Sequence, residues 1–126
     1  MEKIKIKWAW AANKGNKFDG QYEGEIKDNK PHGLGKFKRD GYNQTVVGEW
    51  EDGQLNGKAV YNGSEFRQEY EAKEGKINGK FTQFNNDGSH WESEYRDGKH
   101  HGRYRKYDKD GIVTQVVVFE DGNRIR

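Results

Sequence analysis

Histidines are the side chains of this sequence best suited by type to metal binding or proton transfer. They stand at His32, His90, His100 and His101. Adjacent residues of an extended strand point to opposite faces, so His100 and His101 are a poor pair for holding one metal ion. His32 and His101 each precede a glycine in turn-like sequence, which gives them a structural explanation. The histidine pattern therefore predicts no metal site.

Acidic residues are numerous, but no pair is set apart as a general acid and base would be. They lie in predicted turns or alternate along predicted strands: Asp28, Asp52, Asp97, Asp121, Glu49, Glu51, Glu92 and Glu94. The chain has no cysteine, which excludes disulfides, thiol catalysis and thiolate metal sites. It also has no phosphate-binding GxxxxGK[ST] loop. We expect a protein that is not an enzyme and uses no cofactor.

One local group of basic residues is a candidate contact for an anionic surface. It consists of His100, Arg103, Arg105, Lys106 and Lys109. Asp97, Asp108 and Asp110 lie among these residues, and the net charge of the chain is only +2. The pattern therefore favours a solvated face, with contact to membrane lipid as the alternative. It predicts no nucleic-acid binding, which needs a strongly basic footprint.

The composition indicates a thin fold. Of the 126 residues, 30% are hydrophobic and 35% are charged, with 4 Trp, 7 Tyr and 6 Phe. Aliphatic residues are too few for a three-layer α/β domain, whereas the aromatic content and balanced charge argue against disorder. No apolar run approaches the ~18 residues of a membrane span, and the N-terminal residues lack the apolar run of a secretory signal. We expect a single cytoplasmic domain.

Three series of turn residues recur with a period of about 23 residues. Glycines preceded by Asn or His, at 33, 57, 79 and 102, are spaced by 24, 22 and 23. Acidic-Gly or acidic-Asn pairs begin at 28, 52, 74, 97 and 121, and a third series begins at 40, 62, 87 and 110. Between turns, apolar residues alternate as in β-strands, and Asp-Gly pairs suit tight hairpins. The sequence predicts an all-β fold: an elongated single-layer antiparallel β-meander of successive hairpins.

The first two units resemble MORN repeats. Residues 22–35 read YEGEIKDNKPHGLG and are followed by Asp40-Gly41, and residues 46–57 read VVGEWEDGQLNG. The last two units place Phe81 and Tyr104 at small-residue positions, and this form is similar to the MORN-variant repeats of bacterial antitoxin-like proteins. The resemblance implies one domain, 1–126: a capping strand at 1–17, four to five repeats of ~23 residues at about 18–122, and a tail at 123–126.

Alternation places a stripe of aromatic side chains on one side of the predicted sheet. They are Tyr22, Phe37, Trp50, Tyr61, Tyr70, Phe81, Trp91, Tyr95, Tyr104 and Phe119. The stripe is either the core of the sheet itself or, in part, an open groove for a protein partner, because aromatic residues anchor protein interfaces. Phe84 and Tyr107 fall out of phase, so either a bulge brings them to the same face or the second face is also aromatic there.

The opening residues KIKIKWAW alternate strictly, with Ile4, Ile6, Trp8 and Trp10 on one face and lysines on the other. We expect a starting strand that covers the first repeat, with lysines that discourage edge-to-edge pairing. The expected function is protein binding, and the resemblance implies an antitoxin-like or immunity-like version of it. The alternatives are a self-associating scaffold, in which a second copy forms a homodimer, and a peripheral phospholipid-binding module.

Overall fold

The computed structural model describes residues 2–8 and 17–126, and within them twelve strands form one antiparallel sheet. The strands are β1 (Glu2–Trp8), β2 (Phe18–Lys27), β3 (Lys30–Arg39), β4 (Thr45–Glu51), β5 (Gln54–Asn62), β6 (Phe66–Lys73), β7 (Lys76–Asn85), β8 (His90–Arg96), β9 (Lys99–His100), β10 (Gly102–Tyr107), β11 (Val113–Glu120) and β12 (Asn123–Arg124). Strands β1 to β8 and β10 to β12 pair in chain order, and β8 pairs with both β9 and β10. The predicted single-layer meander is confirmed.

Residues 9–16, which include Trp10, lie outside the described residues. In the described part of the chain, no helix has the length and apolar character needed to cross a membrane.

The acidic turns have the backbone conformation that their sequence predicts. Asp52 and Gly53 both have positive φ, of 50° and 83°. Two consecutive positive φ values define the type I′ hairpin turn, whose twist matches that of the flanking strands. The corresponding turns share this feature at 28–29, 74–75, 97–98 and 121–122. Each turn sends the chain back antiparallel to the strand before it.

Each acidic turn from Asp52-Gly53 onward is also bonded to the repeat before it. The amide of Gly53 donates to the carbonyl of Pro31 at 3.0 Å, and the amide of Gly75 donates to the carbonyl of Leu55 at 2.9 Å. The same bond joins Gly98 to Ile77 at 2.9 Å and Gly122 to His100 at 2.8 Å. This lateral bond repeats once per period and holds successive hairpins side by side.

Where the residue before the repeat glycine is asparagine, it makes a second lateral bond. The side-chain oxygen of Asn56 accepts from the amide of Glu74 at 3.1 Å, and that of Asn78 accepts from the amide of Asp97 at 3.0 Å. These bonds explain why Asn recurs before the glycine.

A bulge in each hairpin stands opposite a glutamate. Gly48 pairs with Ala59 and Trp50 with Leu55, so three residues, 56–58, lie opposite Glu49. The Glu49 carboxylate accepts from the amide of Lys58 at 3.0 Å. Glu25 accepts from the amide of Leu34 at 2.6 Å in the same way. These glutamates close the bulge and have a structural role.

The core lies on one face of the sheet, which we call the core face. Strand register places all ten aromatic residues of the predicted stripe on this face. The Tyr22 ring lies over Gly35, where the absence of a side chain leaves room: a Cβ at position 35 would lie 2.0 Å from the hydroxyl oxygen of Tyr22. The indole nitrogen of Trp50 donates to the carbonyl of Gly35 at 3.0 Å. A single-layer sheet can thus bury one of its faces beneath its own aromatic side chains.

The first strand covers the start of the core face. The ring of Trp8 packs 5.3 Å from that of Phe37 and 5.1 Å from that of Trp50. Ile4 and Ile6 pack against the same cluster. The lysines of β1 point to the opposite face, which we call the outer face; there they pair with Glu23, Asp40 and Asp19. The N-terminal part of the core face is therefore closed.

Candidate functional site

The predicted aromatic stripe divides into a buried and a partly exposed group. Its buried members are Tyr22, Phe37, Trp50, Tyr70 and Phe81. Its partly buried members are Tyr61, Trp91, Tyr95, Tyr104 and Phe119. The buried group has almost no surface to offer a partner, because its rings are covered by the sheet and by each other. Partner contact on this face is limited to the partly buried rings, most of them in the last strands.

His100 lies on the core face, not on an anionic-binding surface. Its ring packs 4.3 Å from the ring of Tyr95 and 4.6 Å from that of Phe119. Its Nδ1 lies 2.9 Å from Ser93 Oγ, and its Nε2 lies 3.0 Å from the hydroxyl of Tyr95. Burial lowers the pKa of His100 from its ordinary value. In the repeat pattern, His100 stands where Leu55 and Ile77 stand in earlier units.

The other basic residues of the predicted cluster are also divided. Arg103 and Arg105 pair with Val118 and Val116 and point to the outer face. Lys106 pairs with Trp91 and points to the core face. Lys109 belongs to the loop between β10 and β11. Strand alternation sends neighbouring residues to opposite faces, so the five residues predicted to act together do not form one surface.

A second set of aromatic residues lies on the outer face. Phe84 pairs with Arg67 on one side and His90 on the other, and His90 pairs with Tyr107. Tyr107 in turn pairs with Val113. Phe81 and Phe84 point to opposite faces, because the register of β7 with β8 runs without a shift between them. The second face is therefore also aromatic in the last repeats, and no bulge brings Phe84 to the core face.

These residues form a continuous row across neighbouring strands, which we call the outer aromatic row: Arg67, Phe84, His90, Tyr107 and Val113. The rings of Phe84 and His90 are 5.9 Å apart and inclined by 27°. Those of His90 and Tyr107 are 4.4 Å apart and nearly parallel, at 7°. The Arg67 guanidinium lies 5.4 Å from the Phe84 ring centre. Stacking holds these planar groups in defined orientations.

The outer aromatic row is accessible to a partner. Phe84 is 41% exposed and the neighbouring Val116 is 52% exposed. An open depression of about 500 Å³ lies beside the row, lined on this face by Lys80, Thr82, Glu92, Glu94, Arg103 and Arg105. An aromatic centre with a charged rim is typical of protein interfaces.

His90, Arg67 and Val113 were not among the residues predicted from the sequence for this site. The spacing of Phe84 and Tyr107 was the available signal, since it raised the question of a second aromatic face. Their cross-strand partners depend on turn lengths and register, which the pattern does not specify.

The arrangement of the described side chains does not support a metal-binding site. In residues 2–8 and 17–126, no three His, Asp or Glu side chains are grouped as metal ligands would be. His90 lies 3.6 Å from Glu92, and His101 lies 3.9 Å from Asp121. Each of these is a two-residue contact at the surface.

Comparison with known families agrees with the repeat pattern. A family model described as MORN repeat matches residues 22–42 and 47–64. These segments are the first two units of the period, including the Tyr22 strand and the Asp52-Gly53 turn. No curated protein sequence matches the chain.

Proposed function

This chain is a MORN-repeat protein, and on that premise we propose that it is a non-enzymatic protein-binding module whose partner docks on the outer aromatic row. MORN repeats make it a repeat-based binding or scaffold module. The assignment of the surface is carried by one observation: aromatic and aliphatic side chains of the last repeats lie exposed on the face opposite the core.

The row has the physical properties of a binding anchor. Phe84, Val113 and Val116 expose apolar surface that a partner would remove from water, worth roughly 25 cal/mol per Å². The stack of His90 on Tyr107 already fixes both rings. A partner therefore loses little side-chain entropy when it binds there.

The proposal includes the absence of catalysis. Glu25 and Glu49 are hydrogen-bonded to backbone amides within their own hairpins, which leaves them occupied as structural acceptors. The charged depression is open to solvent, so it gives no dry site in which a catalytic pKa is tuned. We also propose a cytoplasmic location, supported by the cysteine-free composition.

A narrower form of the proposal makes the partner a toxin that this chain neutralises. It is supported by the resemblance of the last two units, with aromatics at Phe81 and Phe84 and at Tyr104 and Tyr107, to repeats of bacterial antitoxin-like proteins. Co-expression with the captured partner tests it. Rescue of growth by the wild-type chain, and loss of rescue with Phe84→Ala, is the expected result.

A phospholipid surface has less support. Membrane binding through basic residues needs them clustered on one side. Here Arg103 and Arg105 point to the outer face and Lys106 to the core face, so the positive charge is split between faces.

The binding experiment compares matched exposed residues on the same face. The wild-type chain, Phe84→Ala, Tyr107→Ala and Leu34→Ala are used to capture proteins from a lysate of the native host. Leu34 is the control, because it is 60% exposed on the outer face but lies in the first repeat. Affinity for the purified captured protein is then measured for each variant.

We expect the two row variants to bind about tenfold or more weakly, as truncated hot-spot residues do. Leu34→Ala should bind like the wild-type chain. Equal affinity of all four proteins would contradict the assignment of the surface. In that case Trp91→Ala tests the partly exposed rings of the core face.

A further inference from the structure

The outer aromatic row lies at the ends of its strands, directly beside three loops. Each of its five members is the first, second, last or next-to-last residue of its strand. Just beyond them the chain turns back, in loops at residues 63–65, 86–89 and 108–112. The row is therefore a narrow band, with loops along one long side and the rest of the outer face along the other.

The three loops carry an excess of negative charge, and we call them the acidic border of the row. Their charged side chains are one lysine and four acids: Lys109, Glu65, Asp87, Asp108 and Asp110. The nearby Lys106 points to the core face. On the other long side of the row charges are balanced, since Arg67 pairs with Glu69 and Glu92 lies opposite a basic residue of β10. The border therefore favours a partner with basic residues on one side.

The backbone beneath the row is already paired within the sheet. The strands that carry Arg67, Phe84, His90 and Tyr107 each have a hydrogen-bonded neighbour on both sides. A partner segment laid on this face must therefore satisfy its own amides and carbonyls, because burying them without partners costs free energy. A single extended segment cannot do so, whereas an α-helix pairs most of its backbone groups internally. The face thus favours a helix.

The stacking of the rings disfavours recognition of a proline-rich segment. Such segments dock in grooves lined by aromatic side chains. In the row, the faces of His90 and Tyr107 are turned toward each other at 4.4 Å and are nearly parallel. Ring edges, rather than open ring faces, are therefore presented to a partner. A line of ring edges can contact the apolar stripe of an amphipathic helix, whose side chains recur once per turn.

We propose that the partner segment bound by the outer aromatic row is an amphipathic α-helix lying along the row, with basic residues on the side that faces the acidic border. The inference rests on the proposed function and names the chemistry of its partner. Five strands spaced by about 4.8 Å cover about 19 Å, the length of about 13 helical residues. A second copy of this chain does not supply such a helix from residues 2–8 and 17–126, which form strands and turns.

The test uses three synthetic peptides of equal length. The Lys peptide has leucines at helical spacing with lysines beside the apolar stripe, and the Glu peptide has glutamate in place of each lysine. The alternating peptide has the composition of the Lys peptide in strict apolar–polar alternation, which favours a strand. Fluorescence anisotropy at one salt concentration measures the affinity of each. We expect the Lys peptide to bind the wild-type chain about tenfold or more tightly than the others do, and Phe84→Ala to weaken it about tenfold.

A charge-reversed chain tests the role of the acidic border. Asp87 and Asp108 accept hydrogen bonds from amides of their own loops and are left unchanged. Glu65 and Asp110 are exposed, so both are replaced by lysine in one variant, Glu65→Lys with Asp110→Lys. This variant should bind the Glu peptide more tightly than the Lys peptide, because like charges now oppose the lysines.

A control variant makes the same change in net charge at the other end of the sheet. It carries Glu2→Lys in β1 and Glu23→Lys in β2. It should keep the preference of the wild-type chain for the Lys peptide. A reversed preference in this control would show that overall charge, and not the acidic border, selects the peptide, which overturns the proposal.

The outcomes separate this inference from the proposed function. Binding that depends on Phe84 but favours the Glu peptide or the alternating peptide overturns the basic helix and leaves the proposed function standing. Equal affinities for the three peptides do the same. If no peptide binds in a way that depends on Phe84, the inference fails, and the capture experiment with Phe84→Ala decides the proposed function separately.

Discussion

Tyr22 lies directly over Gly35, at a distance that excludes any side chain there. A Cβ at position 35 would lie 2.0 Å from the Tyr22 hydroxyl oxygen. The hydroxyl donates to the carbonyl of Glu25 at 2.6 Å, which fixes the ring in this place. The relationship explains how a single-layer sheet acquires a core: the rings are buried against backbone instead of against a second layer.

Gly35→Ala tests this relationship. We expect it to lower the free energy of unfolding by about 1–3 kcal/mol, because the added methyl group overlaps the Tyr22 ring. Urea denaturation measures the change. The control is the neighbouring Lys36→Ala, an exposed position that should stay within about 0.5 kcal/mol. Equal effects of the two substitutions would mean that the ring does not rest on Gly35.

Trp50 contributes to stability through both its ring and its indole N–H. It is buried, and it donates to the carbonyl of Gly35 at 3.0 Å. Trp50→Ala should cost about 3–5 kcal/mol, as large core truncations do. Trp50→Phe keeps an aromatic ring and loses the hydrogen bond, so it should cost less. A surface-like cost for Trp50→Ala, within about 0.5 kcal/mol, would show that Trp50 is exposed in solution.

His32 is a position where substitution should stabilise the protein. Its Nδ1 is buried without a hydrogen-bond partner in the described structure. At the equivalent place in the next repeats, Asn56 and Asn78 accept a bond from the following turn. His32→Asn should therefore raise the free energy of unfolding by about 1 kcal/mol.

The control for this prediction is His101→Asn. The Nδ1 of His101 already lies 3.4 Å from the amide of Asp121, so the exchange should change stability little. Thermal denaturation of both variants at neutral pH gives the comparison. A lower melting temperature for His32→Asn than for the wild-type chain would contradict the expected lateral bond.

His100 should make the stability of the last repeats depend on pH. Burial holds its pKa below the ordinary value of 6.5, so below that pH the unfolded chain binds more protons than the folded chain. Stability should fall as the pH drops below about 6.5 and level off below the lowered pKa. His100→Leu, which copies Leu55, should remove this part of the dependence, while His101→Asn should keep it.

The measurement is urea denaturation from about pH 7.5 to about pH 5, the range in which histidines titrate. A His100→Leu profile parallel to that of the wild-type chain would show that another group causes the dependence. The hydroxyls of Tyr95 and Ser93 face the imidazole and stay neutral throughout this range.

The turns and faces were predictable because local chemistry determines them. Asp52-Gly53 favours two positive φ values wherever it occurs, and alternation alone assigned Tyr22 and Phe37 to one face. The partners of Phe84 were not predictable, since the register of β6 with β7 depends on the bulge opposite Glu71.

The position of His100 in the core follows from the turn spacing of the sequence. It follows the Asp97-Gly98 turn by the same offset that separates Leu55 from Asp52-Gly53. Aligning the repeats by their turns assigns it to the core. Grouping His100 with Arg103, Arg105 and Lys106 predicts a surface position instead, because that grouping follows proximity in the sequence and not the repeat.

The neighbour-by-neighbour pairing of strands has a mechanical consequence. Force applied to the two ends of the described sheet acts on the terminal hairpins first, because no strand bridges distant parts of the chain. The backbone hydrogen bonds between strands then break a few at a time, instead of all together as they would under a shearing force. The repeat that opens first exposes the edge of the next, so the sheet yields at low tension and lengthens in steps of one repeat.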